Sequence, residues 1–297
     1  MTKTVLESGL LREDNGSYVL TSVLTPLAIL STLQDSLMAR LDGLAPIKEI
    51  AQIGATIGRE FPFDLLEAAS PIQGVALQDA LGQLMAAGLI FGHRTPSEVT
   101  YAFKHALVQE TAYATLLKSR RHELHQRIAE SLRNRFPERA EREPGIVAHH
   151  FTRAGLPKTA IEWWGRAGAR AMHRFANNEA ALSFANGLNL MADLPASEER
   201  NRQELAFRLA LGPALLAARG YASDEVERNY QEAGRLAEAL SDTEAVFTSA
   251  RGQWHYLYDR SQLDRALALA ERLRSFEWKI RAPRRAASRF APSARHS

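Results

Sequence analysis

Two pairs of histidines stand where side chains could act together: His122 and His125 are three residues apart, and His149 and His150 are adjacent. Histidines at i and i+3 fall on one helix face and can share a metal ion. A closed site needs further ligands, and no third histidine or carboxylate stands at compatible spacing. Solvated or capping imidazoles are therefore the expectation, and no metal is assigned. The chain has no cysteine, which excludes thiolate ligands, cysteine nucleophiles and disulfides together.

Three further groups invite a chemical reading. Lys104 and His105 directly follow an extended run, where a basic pair can meet an anion or simply pack and hydrogen-bond at a strand-to-helix junction. Trp163 and Trp164 point their indoles to different sides of one helix, so at least one packs inside and the other is a candidate anchor for a partner. Glu198, Glu199 and Glu204 read as a solvated acidic first turn, favourable beside a helix N-terminus. No acid/base pair stands beside a recognisable nucleophile, so no catalytic residue is assigned.

The elements that must position these groups are mostly helical. Thr4 to Leu11 have the spacing of a helix end, and Asp14-Asn15-Gly16-Ser17 is a turn before the extended run Tyr18-Val19-Leu20. Helices are predicted from Ser31 to Leu41, from Pro46 to Gly58, over Leu65 to Ala69 and from Val75 to Ala87, the last with Leu77, Leu81, Leu84 and Met85 inward and Gly88 as its terminator. Phe61-Pro62-Phe63-Asp64 reads as a turn. The period then changes to that of strands at Leu89-Ile90-Phe91 and Val99 to Phe103, joined by a loop from Gly92 to Glu98. Short helices followed by a β-hairpin are the element order of a winged-helix-like domain.

Helical spacing returns after Phe103 and runs to Pro137. From Pro144 onward, helices of similar length are separated by brief Pro, Gly or Asn-Asn punctuation: Pro144 to Ala154, Pro157 to Arg174, Asn177 to Met191, Glu198 to Ala218, Asp224 to Leu240, Thr243 to Tyr258 and Ser261 to Arg274. Alanines at Ala160, Ala167, Ala171, Ala180, Ala181 and Ala185 let neighbouring helices approach closely. Such pairs describe an α-solenoid of tetratricopeptide-like hairpins, with Asp264 to Leu273 the clearest second-helix pattern. The fold class is thus mostly α, in four segments: 1–42, which reads as the end of something larger; 43–143, winged-helix-like; 144–275, repeats; and 276–297, a disordered basic tail.

Composition restricts the partners. The formal net charge is +3, but Lys279, Arg281, Arg284, Arg285, Arg289 and Arg295 follow the last acid, Glu277, which leaves about −3 before the tail. A folded basic face for nucleic acid is not indicated. The start lacks a signal-peptide core, and no run of about 18 apolar residues occurs. A cytoplasmic protein without membrane contact is expected. The tail reads as the end of a truncated or frame-altered product.

The run Tyr101-Ala-Phe-Lys-His-Ala-Leu-Val-Gln-Glu-Thr-Ala-Tyr113, with Leu116-Leu117 and Arg120-Arg121-His-Glu-Leu-His125, closely resembles a signature of large signal-transduction ATPases of the STAND type. It is especially similar to bacterial predicted ATPases fused to class III adenylate or guanylate cyclase domains. Thr32 to Asp42, Ala51 to Phe61 and Ala148 to Gly155 add to the resemblance, which covers about residues 4–275. It implies the order cyclase, P-loop ATPase, winged helix and tetratricopeptide-like repeats, with residues 1–42 the remnant of the helical lid that follows the ATPase domain and with Lys104 and His105 placed to face nucleotide or the ATPase module.

The departures decide what is expected of this chain. No Gly-x-x-x-x-Gly-Lys-Ser/Thr loop occurs in it, so the phosphate cradle, its lysine and its magnesium hydroxyl are missing. The expectation is a regulatory and protein-interaction fragment, not an enzyme, without a cofactor of its own. ATP and magnesium would enter only through an ATPase module elsewhere, and the partner would be that module, its cyclase or another protein. The alternative is a winged-helix DNA-binding regulator that reads through Val75 to Ala87. That helix carries Gln78, Asp79 and Gln83 but no Lys or Arg to meet phosphate.

Overall fold

A computed structural model describes residues 11–14, 17–20, 37–39, 43, 47–95, 98–220 and 223–274. The described chain is mostly helical, with a β-hairpin near its start and one three-stranded antiparallel sheet. The expected helix from Ser31 to Leu41 lies outside these residues except at 37–39, which are helical, and the tail 276–297 lies wholly outside.

The hairpin pairs β1 (Leu11–Asp14) with β2 (Ser17–Leu20) in antiparallel register, Leu11 opposite Leu20. Leu11 is thus in a strand and does not end a helix; the rest of the predicted Thr4 to Leu11 segment lies outside the described residues. Tyr18 to Leu20 thus find their partner strand locally, in Leu11 to Glu13.

Two compact units follow. One holds the described residues up to Ala140 together with His150–Gly155; the other holds Glu141–His149 and everything from Leu156. In the first, α1 (Lys48–Ile57), β3 (Glu60–Pro62), α2 (Phe63–Ala69), α3 (Gly74–Ala86), β4 (Ile90–Arg94), β5 (Val99–Phe103), α4 (Ala106–Ala114) and α5 (Lys118–Arg135) follow in order. The helices α6 (Pro137–Arg142) and α7 (Pro144–Arg153) contribute residues to both units.

The sheet order is β3-β5-β4. Where a turn was expected at Phe61 to Asp64, Glu60–Pro62 pairs with Thr100 to Ala102 and α2 starts at Phe63. The cause is Phe61: its ring is fully buried, 5.3 Å from that of Phe103 and 6.0 Å from that of Tyr101. An aromatic driven into the core beside β5 carries its backbone into the ladder. The hairpin also extends past Phe91, with Gly92, His93 and Arg94 opposite Tyr101, Thr100 and Val99.

The core of this unit is formed by Ile50 and Ile53 of α1, Leu65 and Leu66 of α2, Leu77, Leu81 and Leu84 of α3, and Phe61, Leu89 and Phe103. Met85, expected inward, is 40% exposed. It stands one residue, about 100° of helix rotation, beyond the face of Leu77, Leu81 and Leu84. Gly88 at φ 70° closes the helix in the left-handed conformation its lack of a Cβ permits.

The second unit is a run of helices: α8 (Pro157–His173), α9 (Asn177–Ala192), α10 (Glu198–Arg219), α11 (Asp224–Ala239), α12 (Thr243–Asp259) and α13, residues 263–274. These agree with the predicted segments within a residue or two. Sequential neighbours from α8 to α12 pack on one another. Ala160, Ala167, Ala171, Ala180 and Ala181 are buried, as close approach requires.

Three of the connections share one turn. Phe175, Ser241 and Ser261 each have φ 57°. The following residue donates its N–H back across the helix end in each case: Ala176 to Ala171 O, Asp242 to Ala237 O and Gln262 to Leu257 O, all at 2.9 Å. That 6→1 bond, with one left-handed residue, folds a helix end sharply into the next helix. Ser197 and Asp242 then cap the starts of α10 and α12, accepting from Arg200 N and Ala245 N.

Candidate functional site

The structure takes one histidine from each predicted pair and joins them. His125 on α5 and His150 on α7 are 3% and 2% exposed, with their Nδ1 atoms 2.8 Å apart. Tyr113 Oη on α4 stands 3.0 Å from His125 Nε2. Arg153 Nη2 donates to the same phenol at 3.3 Å, and the Arg121 guanidinium lies 4.7 Å from the tyrosine ring centre. All these residues belong to the first unit.

Such a bond needs one Nδ1 protonated and the other bare, so both imidazoles cannot be cations while it persists. The tautomer of a neutral His125 couples its two ends. If it donates through Nδ1, its Nε2 accepts from the Tyr113 O–H; if it accepts at Nδ1, its Nε2–H donates to Tyr113 Oη. A chain of this kind, buried at its two histidines, ties the facing sides of three helices together. Among the described residues no group of three or more His, Asp or Glu side chains is placed to hold a metal ion.

The expected solvated histidines are therefore half right: His122 and His149 are exposed, while His125 and His150 are buried. Spacing within one helix pairs His122 with His125, but the buried face of α5 runs through Leu124, His125, Ile128 and Leu132, with His122 outside it. The partner of His125 lies 25 residues away. Local periodicity carries no information at that range.

Lys104 and His105 are both exposed. His105 occupies the N-cap of α4, and its backbone carbonyl accepts from Val108 N at 3.0 Å. The junction is thus made by the main chain.

Trp163 is buried, with the Arg166 guanidinium 4.6 Å from its ring centre, and Trp164 is partly buried against the core of α8 to α11. Neither indole stands free in solvent.

The acidic group divides. Glu198 is exposed and paired with Arg202. Glu204 is 7% exposed, held by Arg208 at 2.8 Å and Arg200 at 3.3 Å, and is not the solvated residue expected. It stands well beyond the first turn, on the stripe of Leu205, Phe207 and Leu211 that faces the core, and two arginines one helical turn away keep its charge paired.

One concavity was not foreseen. A groove of about 550 Å³ opens between α3 and the β4–β5 hairpin, with Phe63, Met85, Val99 and Tyr101 as its apolar lining and Gln78, His93 and Arg94 as its polar lining. The signal available in the sequence was Gly92. Opposite Tyr101 in the ladder, it leaves room for that ring, since a Cβ there would stand 3.3 Å from Tyr101 Cε1 and 3.6 Å from Met85 Sδ.

No helix among the described residues is long and apolar enough to cross a membrane. No protein-family model matches the sequence, and no solved structure matches it. The chain is 30% identical over 247 residues to an uncharacterized protein of Rhizobium meliloti (strain 1021), an alignment that takes in 82% of this chain and 24% of that protein. The chain therefore spans about a quarter of the length of the relative it matches.

Proposed function

We propose that this chain is a cytoplasmic regulatory and protein-interaction module of a STAND-type signalling ATPase associated with adenylate cyclase, without catalytic activity of its own. The order α1-β3-α2-α3-β4-β5, with sheet order β3-β5-β4, supports the winged-helix-like reading of the first unit. The recurrent left-handed turn at Phe175, Ser241 and Ser261 supports the tetratricopeptide-like reading of the second, because repeats reuse one connection. The Tyr101 to Tyr113 signature supplies the link to ATPase and cyclase modules, which belong to the longer proteins the motif resembles.

The observation that favours a protein partner over DNA is the surface of α3. Its exposed residues are Gly74, Val75, Ala76, Gln78, Asp79, Gln83, Met85 and Ala86, without a lysine or arginine, and the groove beside it is lined by two aromatics, a valine and a methionine. A DNA-reading helix needs cations for the phosphates. A groove with an apolar wall that can take an anchoring side chain suits a protein partner.

The test is titration of the whole chain against a separately expressed P-loop ATPase region of such a protein and, in parallel, against duplex DNA. Saturable binding to the ATPase region that Met85→Glu weakens at least tenfold supports the reading. No binding to it overturns the reading, and a salt-sensitive DNA shift that survives removal of residues 276–297 overturns it in favour of the DNA-binding alternative.

A further inference from the structure

We infer that the second unit carries a binding site for a small phosphate-bearing ligand, independent of the partner reading above. A cavity of about 310 Å³ is lined by Arg142 of α6, Arg170 and Arg174 near the end of α8, and the apolar surface of Pro144, Ile146 and Ala167. Arg174 is engaged by Glu179 at 2.9 Å. Arg142 and Arg170 form no ion pair with the described residues. The Arg170 Nε–H is moreover buried, with no acceptor in reach.

A buried donor without an acceptor costs about 1–3 kcal/mol, and the side chain that carries it also lines the cavity. The lining holds three guanidinium groups against two carboxylates, those of Glu143 and Glu179, so the site is net cationic. Guanidinium forks match oxyanions through paired N–H donors. A phosphate monoester, with three terminal oxygens, can accept from Arg142 and Arg170 together, whereas one fork already occupies both oxygens of a carboxylate.

The apolar wall of Pro144, Ile146 and Ala167 gives the organic part of an ester a surface that a bare ion would not use. The volume is at the small end of ligand pockets, about 300–1,000 Å³, and fits a sugar phosphate or mononucleotide. The shared chemistry is the phosphate dianion; free phosphate and a small ester are its two sources.

The experiment is calorimetric titration of the full chain with ribose 5-phosphate, inorganic phosphate, unphosphorylated ribose and a phosphoserine peptide in a chloride buffer, repeated on Arg170→Gln, Arg142→Gln and the remote control Arg202→Gln. Saturable binding of the ester, none of ribose, and at least tenfold weaker binding in the Arg170 and Arg142 variants but not in the control is the expected result. Arg142 is exposed, so its variant keeps the test decisive if Arg170→Gln fails to fold. Inorganic phosphate binding as tightly as the ester supports the site with free phosphate as its ligand. Absence of saturable binding, equal affinity in all variants, or tighter binding of a phosphoserine peptide than of any small phosphate overturns the proposal.

Discussion

The ring of Tyr230 on α11 lies directly on Gly252 of α12: a Cβ at Gly252 would stand 2.5 Å from three atoms of that ring. A Cβ at Gly212 of α10 would collide with Cζ and Oη of the same side chain. One buried tyrosine thus packs against two helices stripped of side chains at the point of contact. Alanine is the better helix former by about 1 kcal/mol, yet overpacking of a filled core costs about 1–3 kcal/mol. Gly252→Ala is therefore expected to destabilise the second unit, which Trp163, Trp164 and Trp254 report by fluorescence in urea. Gly82→Ala in α3, where a Cβ meets nothing within 4 Å, is expected to stabilise by about 0.5–1 kcal/mol, read by circular dichroism.

The histidine pair predicts non-additivity. His125→Leu takes one partner from His150 and one from Tyr113, and His150→Leu takes one from His125. Each single change is expected to cost about 1–3 kcal/mol, because a buried polar group loses a hydrogen bond. The double variant is expected to cost less than the two together by at least about 0.5 kcal/mol. Urea unfolding of all four proteins closes the cycle, and strict additivity would show that the 2.8 Å contact contributes nothing to stability.

Where the sequence is read locally, it is read well. The helices from Pro144 to Asp259 follow from apolar spacing and punctuation because nothing competes with the 3.6 period there. The strand at Glu60–Pro62 does not, since three residues ending in proline have no propensity to announce them, and only burial of Phe61 against Phe103 makes the strand. The same limit applies to function. Lys104, His105, Trp163 and Trp164 are legible as residue types, but the His125–His150 bond and the Arg142–Arg170 cavity join positions 25 and 28 residues apart through tertiary packing. Glu204 shows the reverse error: its acidity suggested solvent, while its place in the apolar stripe of α10 decided burial.

The left-handed turns carry strain that glycine would remove. Ser241 and Ser261 hold φ 57° with a Cβ present, and Phe175 does so as a residue 86% exposed. A left-handed non-glycine residue costs about 1–2 kcal/mol locally, offset in part by glycine's greater freedom when unfolded. Ser241→Gly and Phe175→Gly are expected to raise stability by a few tenths to about 1 kcal/mol each. Asp242, by contrast, caps α12 through Ala245 N, and Asp242→Ala is expected to lower stability by about 1 kcal/mol. Thermal melts of the three variants give the opposite signs if the turn works as described.

Acid sensitivity is expected at Glu123 on α5. Its carboxylate is held by Arg120 at 2.6 Å and Arg127 at 3.1 Å, and Arg120 also reaches Glu49 on α1. The hydrogen bond from Arg120 is the largest influence and holds the Glu123 carboxyl below its ordinary range, against a smaller opposing effect of desolvation. A group whose folded pKa is depressed binds fewer protons folded than unfolded, so its contribution is present above the ordinary carboxylate pKa of about 4.3 and is lost as pH falls through the folded value. The side chain is 53% exposed, which limits the effect to about 0–1 kcal/mol through solvent screening. Glu123→Gln is therefore expected to be slightly less stable than the native chain at pH 7 in low salt, with the difference closing toward pH 3 and shrinking in 1 M salt. Urea midpoints followed by circular dichroism at the two pH values measure this. A difference that persists unchanged at pH 3 would assign the loss to packing of the glutamate stem and not to its charge.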